Sequence, residues 1–384
     1  MARRTPTGRV WALGSTLGLV VALSLAACSD GGSGPSANED QVADRPGRLR
    51  LVTSFAIESL DPVAEGFWFP EFGAAETPMR VGTDGPEPWV LESLDREADT
   101  TWTLRVRPDV TFQNGKPLDG ATLAATMARQ LAKSPAAQAA LPGATVKATG
   151  DLEVTLTTPK PDATVPHTLA DEGVFPVYDT GAVDAVGDDF GKLAGRGFYT
   201  GPYAVKGLND RELVMDRYDG YWAGKPPLPG VTVGFVPDAQ ARILAVRNGE
   251  ADIAIYVPTE AKRTLAGRSD AFFVTAPRGK ETVTMPVNVA RPPFDDVVVR
   301  RALSLGIDYR SLAEEVLDGA YDVATGMYPP VYSYAVANQG TDLVKAKGIL
   351  EAAGWRAGPG GLRAKSGRAL RVVLLTYPQQ PDLA

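Results

Sequence analysis

The 384-residue sequence has one Cys, Cys28, and one His, His167. A single Cys excludes a disulfide within the chain, and the two residues together are too few for a His/Cys zinc cage. Any Ser-His-Asp or Cys-His hydrolase would have to use His167, which follows Pro166 and reads as a loop or capping residue. The nucleophile patterns Gly-x-Ser-x-Gly and Ser-x-x-Lys do not occur. Gly195-Arg196-Gly197 lacks the third glycine of a dinucleotide loop, and Gly115-Lys116 lacks the Walker spacing. Cationic excess is missing too. The 39 Lys+Arg face 46 Asp+Glu, for a net charge of −7. A nucleic-acid binder needs a concentrated cationic surface, so this balance argues against one. Apolar residues at 44% and charged residues at 22% are ordinary globular values, and the length allows two to three domains.

Residues 1–27 contain no acid. Arg3, Arg4 and Arg9 precede an apolar run from Trp11 to Leu25, and Leu25-Ala26-Ala27-Cys28 follows. A basic start, an apolar stretch and small residues at a cut site make a secretory signal. The run is short for a membrane span, which needs about 20 residues. Leu-Ala-Ala-Cys resembles the lipobox of bacterial lipoproteins, which implies that Cys28 is lipidated after cleavage. A plain signal peptide with a stray Cys is the alternative. Residues 28–45 then read as a Gly/Ser/Asn/Asp tether. Without residues 1–27 the chain keeps 36 cationic against 46 acidic side chains, a charge of −10.

From Arg48 onward the pattern is globular. Leu49, Leu51 and Thr53 alternate as in a strand, and so do Trp102, Leu104 and Val106. Asn114-Gly115 marks a tight turn, and Val146–Leu156 reads as a hairpin around Gly150-Asp151. Asp119, Asp238, Asp308 and Asp342 each precede a helical apolar repeat and are expected N-caps; Asp295-Asp296 reads as another helix start. Val231–Phe235, Ala251–Tyr256, Val283–Asn288 and a buried Leu370–Thr376 complete the expected strands. Strands and helices alternate irregularly, predicting an α/β chain of more than one domain.

Five stretches carry a resemblance. They are Leu60-Asp61-Pro62; Thr101 through Asn114-Gly-Lys-Pro-Leu118; Gly201-Pro202-Tyr203 with Asp216 through Trp222 and Gly224-Lys-Pro226; Phe235-Val-Pro-Asp238 through Asn248-Gly-Glu-Ala-Asp252; and Asn288 with Arg291-Pro-Pro-Phe-Asp-Asp296 and Ile307-Asp308. In this order and spacing they resemble the extracytoplasmic solute-binding proteins of family 5, which serve peptide and nickel ABC importers. The resemblance runs from about Arg48 to Tyr377.

It implies a two-lobed periplasmic-binding-protein-like fold of the large type II, peptide-binding class. Lobe I would occupy residues 46–254. Residues 255–384 would form a partial lobe II, because family members continue past this point and return to the first lobe. The implied function is a lipid-anchored, monomeric substrate-binding subunit at the extracytoplasmic face of the bacterial membrane. It would hand a peptide-like solute to an ABC permease and its ATPase subunits, with no chemistry, cofactor or metal of its own. Gly354-Trp355 and Lys365 to Leu370 resemble the nickel-binding branch in layout. Ala136–Ala140 and Asp171-Glu172 depart from it where that branch holds an anionic chelate, so a peptide is the expected ligand. A metal chelate, a secreted lipoprotein hydrolase and a solute sensor remain as alternatives.

Five candidate ligand residues follow. Phe67, Trp68 and Phe69 are consecutive aromatics after Leu60-Asp61-Pro62 and cannot all face one core, so at least one, Trp68 first, is expected in a cleft; the alternative is core packing. Arg278 either pairs a ligand carboxylate through its bidentate fork or is a solvated loop charge. Asn288 either bonds the ligand backbone or caps a turn. Trp102, Phe112 and the Tyr218-Tyr221-Trp222 group read as packing residues.

Overall fold

A computed structural model describes residues 47–82, 85–275, 283–330, 335–377 and 379–380. The strands in chain order are β1 (Leu49–Thr53), β2 (Met79–Val81), β3 (Pro86–Pro88), β4 (Leu91–Ala98), β5 (Thr101–Val106), β6 (Thr145–Ala148), β7 (Glu153–Thr157), β8 (Tyr203–Leu208), β9 (Glu212–Arg217), β10 (Gly230–Phe235), β11 (Ile253–Ala254), β12 (Arg356–Ala357), β13 (Arg363–Lys365) and β14 (Arg368–Ala369). The α-helices in chain order are α1 (Trp68–Glu71), α2 (Gly120–Lys133), α3 (Pro135–Ala140), α4 (Val165–Leu169), α5 (Thr180–Asp184), α6 (Ala239–Arg247), α7 (Ala261–Thr264), α8 (Val297–Gly306), α9 (Tyr309–Ser311) and α10 (Leu343–Ala352).

Among the described residues the largest sheet has the order β11-β1-β10-β9-β8. β1 runs parallel to both β10 and β11, while β9 and β8 continue antiparallel. An antiparallel sheet of order β4-β5-β7-β6 lies elsewhere in the chain. In β5 the expected alternation holds: Trp102, Leu104 and Val106 are buried, and they pack with Leu123 and Met127 of α2 in one core. A second core joins the larger sheet through Val205, Leu213, Met215, Val231 and Val233 to Phe69, Phe72 and Tyr199. A smaller cluster gathers Val299 and Ala302 of α8 with Leu350 of α10 and Trp355.

The expected caps are formed. Asp119 Oδ1 accepts from the Thr122 amide at 2.8 Å while the Asp119 amide donates to Thr122 Oγ1 at 2.9 Å, a reciprocal capping box. Asp238, Asp296, Asp308 and Asp342 accept from amides at the starts of α6, α8, α9 and α10. The helix expected after Asp308 is shorter in its α part; residues Leu312–Val316 continue as a π-helical turn.

Two expected strands are absent. Residues 283–288 form no regular secondary structure, and residues 371–377 are exposed, with Val373 at 80% and Leu375 at 88%. An apolar run identifies a buried strand only when a neighbouring strand supplies its hydrogen bonds, and none of the described residues does so here. The hairpin of β8 and β9, which the sequence reading passed over, is instead part of the main sheet.

Candidate functional site

The parallel strands β1, β10 and β11 end at Thr53, Phe235 and Ala254. In open α/β sheets the carboxyl ends of parallel strands are where ligands are held. Aromatic side chains from four separate segments converge at this edge. Phe55 follows β1; its ring lies 5.5 Å from Trp68, 5.2 Å edge-on from Tyr256 and 6.3 Å from Tyr377. Phe67 tilts against Trp68 at 4.5 Å, and Trp68 stacks on Phe72 at 6.0 Å. The outer rings, Phe67 and Tyr377, are 42% and 47% exposed. Together they make an aromatic ledge at the margin of the second core, which holds Trp68 and Phe72 and has Phe55 and Tyr256 packed against it.

Carboxylates border it. Glu71, one turn after Phe67, accepts a hydrogen bond from the Tyr256 hydroxyl at 3.3 Å. The loop at Asp171, Glu172 and Gly173 passes beside Phe67: a Cβ on Gly173 would sit 3.9 Å from Phe67 Cβ. Desolvation pushes the Glu71 and Glu172 carboxyls above their ordinary range, and the charge of Glu172 raises Glu71 further.

The three consecutive aromatics separate by depth. They enter a short helix, α1, not a loop, and successive helical positions point about 100° apart. Phe69 is fully buried, its ring 5.0 Å from Tyr199. It is a core residue, and the expectation that it faces a ligand is corrected. Trp68 is 7% exposed and forms the floor of the ledge, so Phe67 is the ring that reaches solvent. Asn288 is a turn residue here, its Oδ1 accepting from the Ala290 amide at 3.0 Å. Arg278 and Cys28 lie outside the described residues.

Two buried charged groups escaped the sequence reading. Arg242 on α6 has no exposed surface, and its guanidinium donates to the carbonyls of Val236 at 2.7 Å, Pro237 at 2.8 Å and Tyr256 at 2.6 Å. Val236 leaves β10 and Tyr256 leaves β11, so one side chain ties together the two segments that exit the sheet at the ledge. Tyr256 has φ +54°, a left-handed conformation that L-residues adopt at a cost, and the Arg242 bond helps to hold it. Glu76 is 5% exposed and accepts from the Tyr221 hydroxyl at 2.7 Å and from Trp222 Nε1 at 3.1 Å. That bond explains the Tyr-Trp motif as a packing device. The Asn-Gly-Lys motif has a similar explanation, because Asn114 Nδ2 and Lys116 Nζ both donate to Asp179 Oδ2, at 2.9 and 2.7 Å.

Other hollows lie away from the ledge. One at the opposite end of β1 is lined by Arg48, Arg50, Thr232 and Asp252, and its arginines are engaged in ion pairs with Asp216 and Asp252. Another is lined by Pro292, Asp295, Trp355 and Lys365. Among the described residues, no helix is long and apolar enough to cross a membrane.

Residues 85–384 match the family described as bacterial extracellular solute-binding proteins, family 5 Middle. The chain is 29% identical over 304 residues to the nickel-binding periplasmic protein of Escherichia coli K12, covering 75% of this chain and 57% of that protein. It is 29% identical over 276 residues to the glutathione-binding protein GsiB of Salmonella paratyphi A, covering 67% and 51%. It thus spans about half the length of the curated relatives it matches. The crystal structure of NikA from Staphylococcus aureus in complex with Ni(L-His)2 superposes with a TM-score of 0.70 at 23% identity, over 81% of this chain and 65% of that one. Its likeness is one of fold, the two-lobed α/β fold of periplasmic binding proteins. With the family match spanning most of the sequence, the chain belongs to the bacterial extracellular solute-binding proteins of family 5.

Proposed function

We propose that this protein is the substrate-binding subunit of an ABC importer, lipid-anchored through Cys28 at the extracytoplasmic face of the membrane. It captures a peptide-like solute and delivers it to a permease powered by separate ATPase subunits. Residues 46–254 act as lobe I and residues 255–384 as part of lobe II. The observation that carries this reading is the convergence of Phe55, Phe67, Trp68, Tyr256 and Tyr377 at the carboxyl ends of β1 and β11. Exposed rings beside fixed polar groups suit a small amphipathic ligand. Phe67 and Trp68 supply the ledge, and Arg278 is a candidate partner for a ligand carboxylate from the second lobe. Binding and release, rather than bond chemistry, are its work.

A peptide is favoured over a metal chelate. One relative is named for glutathione, itself a tripeptide, and another for nickel. The ledge here is bordered by Glu71 and Glu172, whose charge repels an anionic chelate. Native mass spectrometry of the protein isolated from its own cells tests the assignment. A co-purifying peptide agrees with it, whereas a bound nickel complex replaces it with the chelate reading.

A further inference from the structure

A hollow of about 790 Å³ lies beside the core that α8 shares with α10. That is the size of a small-molecule site. Two segments of opposite charge line it. Asp295 and Asp296 come from the turn that leads into α8, while Lys365, Arg368 and Arg371 come from the β13–β14 hairpin and the residues after it. The hairpin belongs to a stretch with no acid between Glu351 and Asp382, in a chain whose net charge is −7. Asp296 is already engaged: it caps α8 through the Val298 amide, and Lys365 stands 3.9 Å from it. Three charges are left over. Among the described residues, the Arg368 and Arg371 guanidiniums and the Asp295 carboxylate form no hydrogen bond or ion pair. Trp355 lines the same hollow. It is 6% exposed, and its Nε1 is buried with no hydrogen-bond partner among the described residues. A buried donor is costly to leave unpaired, and an acceptor seated in the hollow would relieve that cost.

We infer that this hollow is a second ligand site, one that takes a free aliphatic α-amino acid in its zwitterionic form. The carboxylate pairs with Arg368 and Arg371 and offers an acceptor to Trp355 Nε1, and the ammonium pairs with Asp295. The aliphatic side chain lies on the apolar part of the lining, Pro292 and Ala369. Guanidinium forks suit a carboxylate, and the lining supplies a partner for each half of the zwitterion. A simple anion would meet Asp295, and a simple cation would meet two unpaired arginines, so both are selected against. The site goes beyond the solute-capture reading and does not depend on the aromatic ledge.

Trp355 supplies a local reporter for the test. Tryptophan fluorescence and calorimetry follow titration of the full chain, purified in detergent, with L-leucine, N-acetyl-L-leucine and L-leucinamide. The two derivatives keep the side chain and remove the ammonium and carboxylate charges in turn. Leucine should change the emission saturably, and the change should vanish in Trp355→Phe. Both derivatives should bind at least about tenfold more weakly than leucine. Arg368→Gln and Arg371→Gln should each weaken leucine about tenfold and leave leucinamide unaffected, whereas Asp295→Asn should weaken leucine and leave N-acetyl-leucine unaffected. All three residues are exposed, so these variants should keep the parent's melting temperature, which is measured alongside. N-acetyl-leucine binding as tightly as leucine overturns the zwitterion assignment. Leucine binding at the parent's strength in both arginine variants, or heat of binding with no Trp355-dependent signal, overturns the hollow as its seat. A parent protein that does not bind leucine overturns the site altogether.

Discussion

The Arg242 guanidinium donates to the Tyr256 carbonyl at 2.6 Å from a fully buried position on α6. The same group bonds the Val236 and Pro237 carbonyls, so the two segments leaving the sheet are pinned to one planar fork. Replacing Arg242 with Met keeps much of the apolar stem and removes all three bonds. The expected cost is about 2–4 kcal/mol in urea unfolding, since hydrogen bonds to charged groups are among the stronger ones. Arg242→Lys should recover only part of it, because an ammonium cannot span three carbonyls in a plane. Equal stability of the Met variant and the parent would show that the fork is not what holds Tyr256.

Trp68 and Phe67 separate stability from binding. Trp68 packs against Phe55, Phe67 and Phe72, and Trp68→Ala should destabilise the protein by about 3–5 kcal/mol through the cavity it leaves. A thermal melt of the variant checks this. A loss of affinity in Trp68→Ala is therefore not by itself a sign of ligand contact.

Glu76 gives a pH signature. Burial raises its carboxyl above the ordinary 4.5, against the opposing bonds from Tyr221 and Trp222. The folded state therefore holds this proton more tightly than the unfolded state. Its contribution to stability is greatest below pH 4.5 and declines as pH rises through the folded value. In Glu76→Gln this decline should vanish, so the difference between variant and parent should shift in favour of Gln as pH rises from 4.5. Glu76→Ala should follow the same pH trend but lie about 1–3 kcal/mol below Glu76→Gln at every pH, because the Tyr221 hydroxyl and Trp222 Nε1 lose their acceptor. Denaturant midpoints across the pH range measure both.

Cys28 is the proposed anchor, and Cys28→Ser should move the protein from the membrane fraction to the soluble one. Retention in the membrane fraction would reject the lipobox reading.

Much of the scaffold was legible because its signals are local. Asp119, Asp238, Asp296 and Asp342 cap the helices that follow them, and the alternation of Trp102, Leu104 and Val106 gives both the strand and its buried face. The ledge was legible only in outline. Three adjacent aromatics implied that at least one turns outward, but which one depends on where α1 begins, a matter of a single residue. Arg242 and Glu76 gave no signal, because Arg and Glu are ordinarily solvated and their burial here depends on carbonyls and indoles brought together by the fold. The Glu71–Tyr256 contact joins residues 185 positions apart, beyond the reach of any periodicity. Residues 370–376 misled in the opposite sense, since hydrophobicity without a pairing partner does not make a buried strand.

The central claim is that the Phe67 ledge holds the captured solute, and the most direct measurement is calorimetry of glycyl-lysyl-glycine with the parent and with Phe67→Ala. Because Phe67 is 42% exposed, the substitution should cost less than about 1 kcal/mol of stability while weakening binding at least about fivefold. A Phe67→Ala protein that binds this peptide as tightly as the parent would contradict the account.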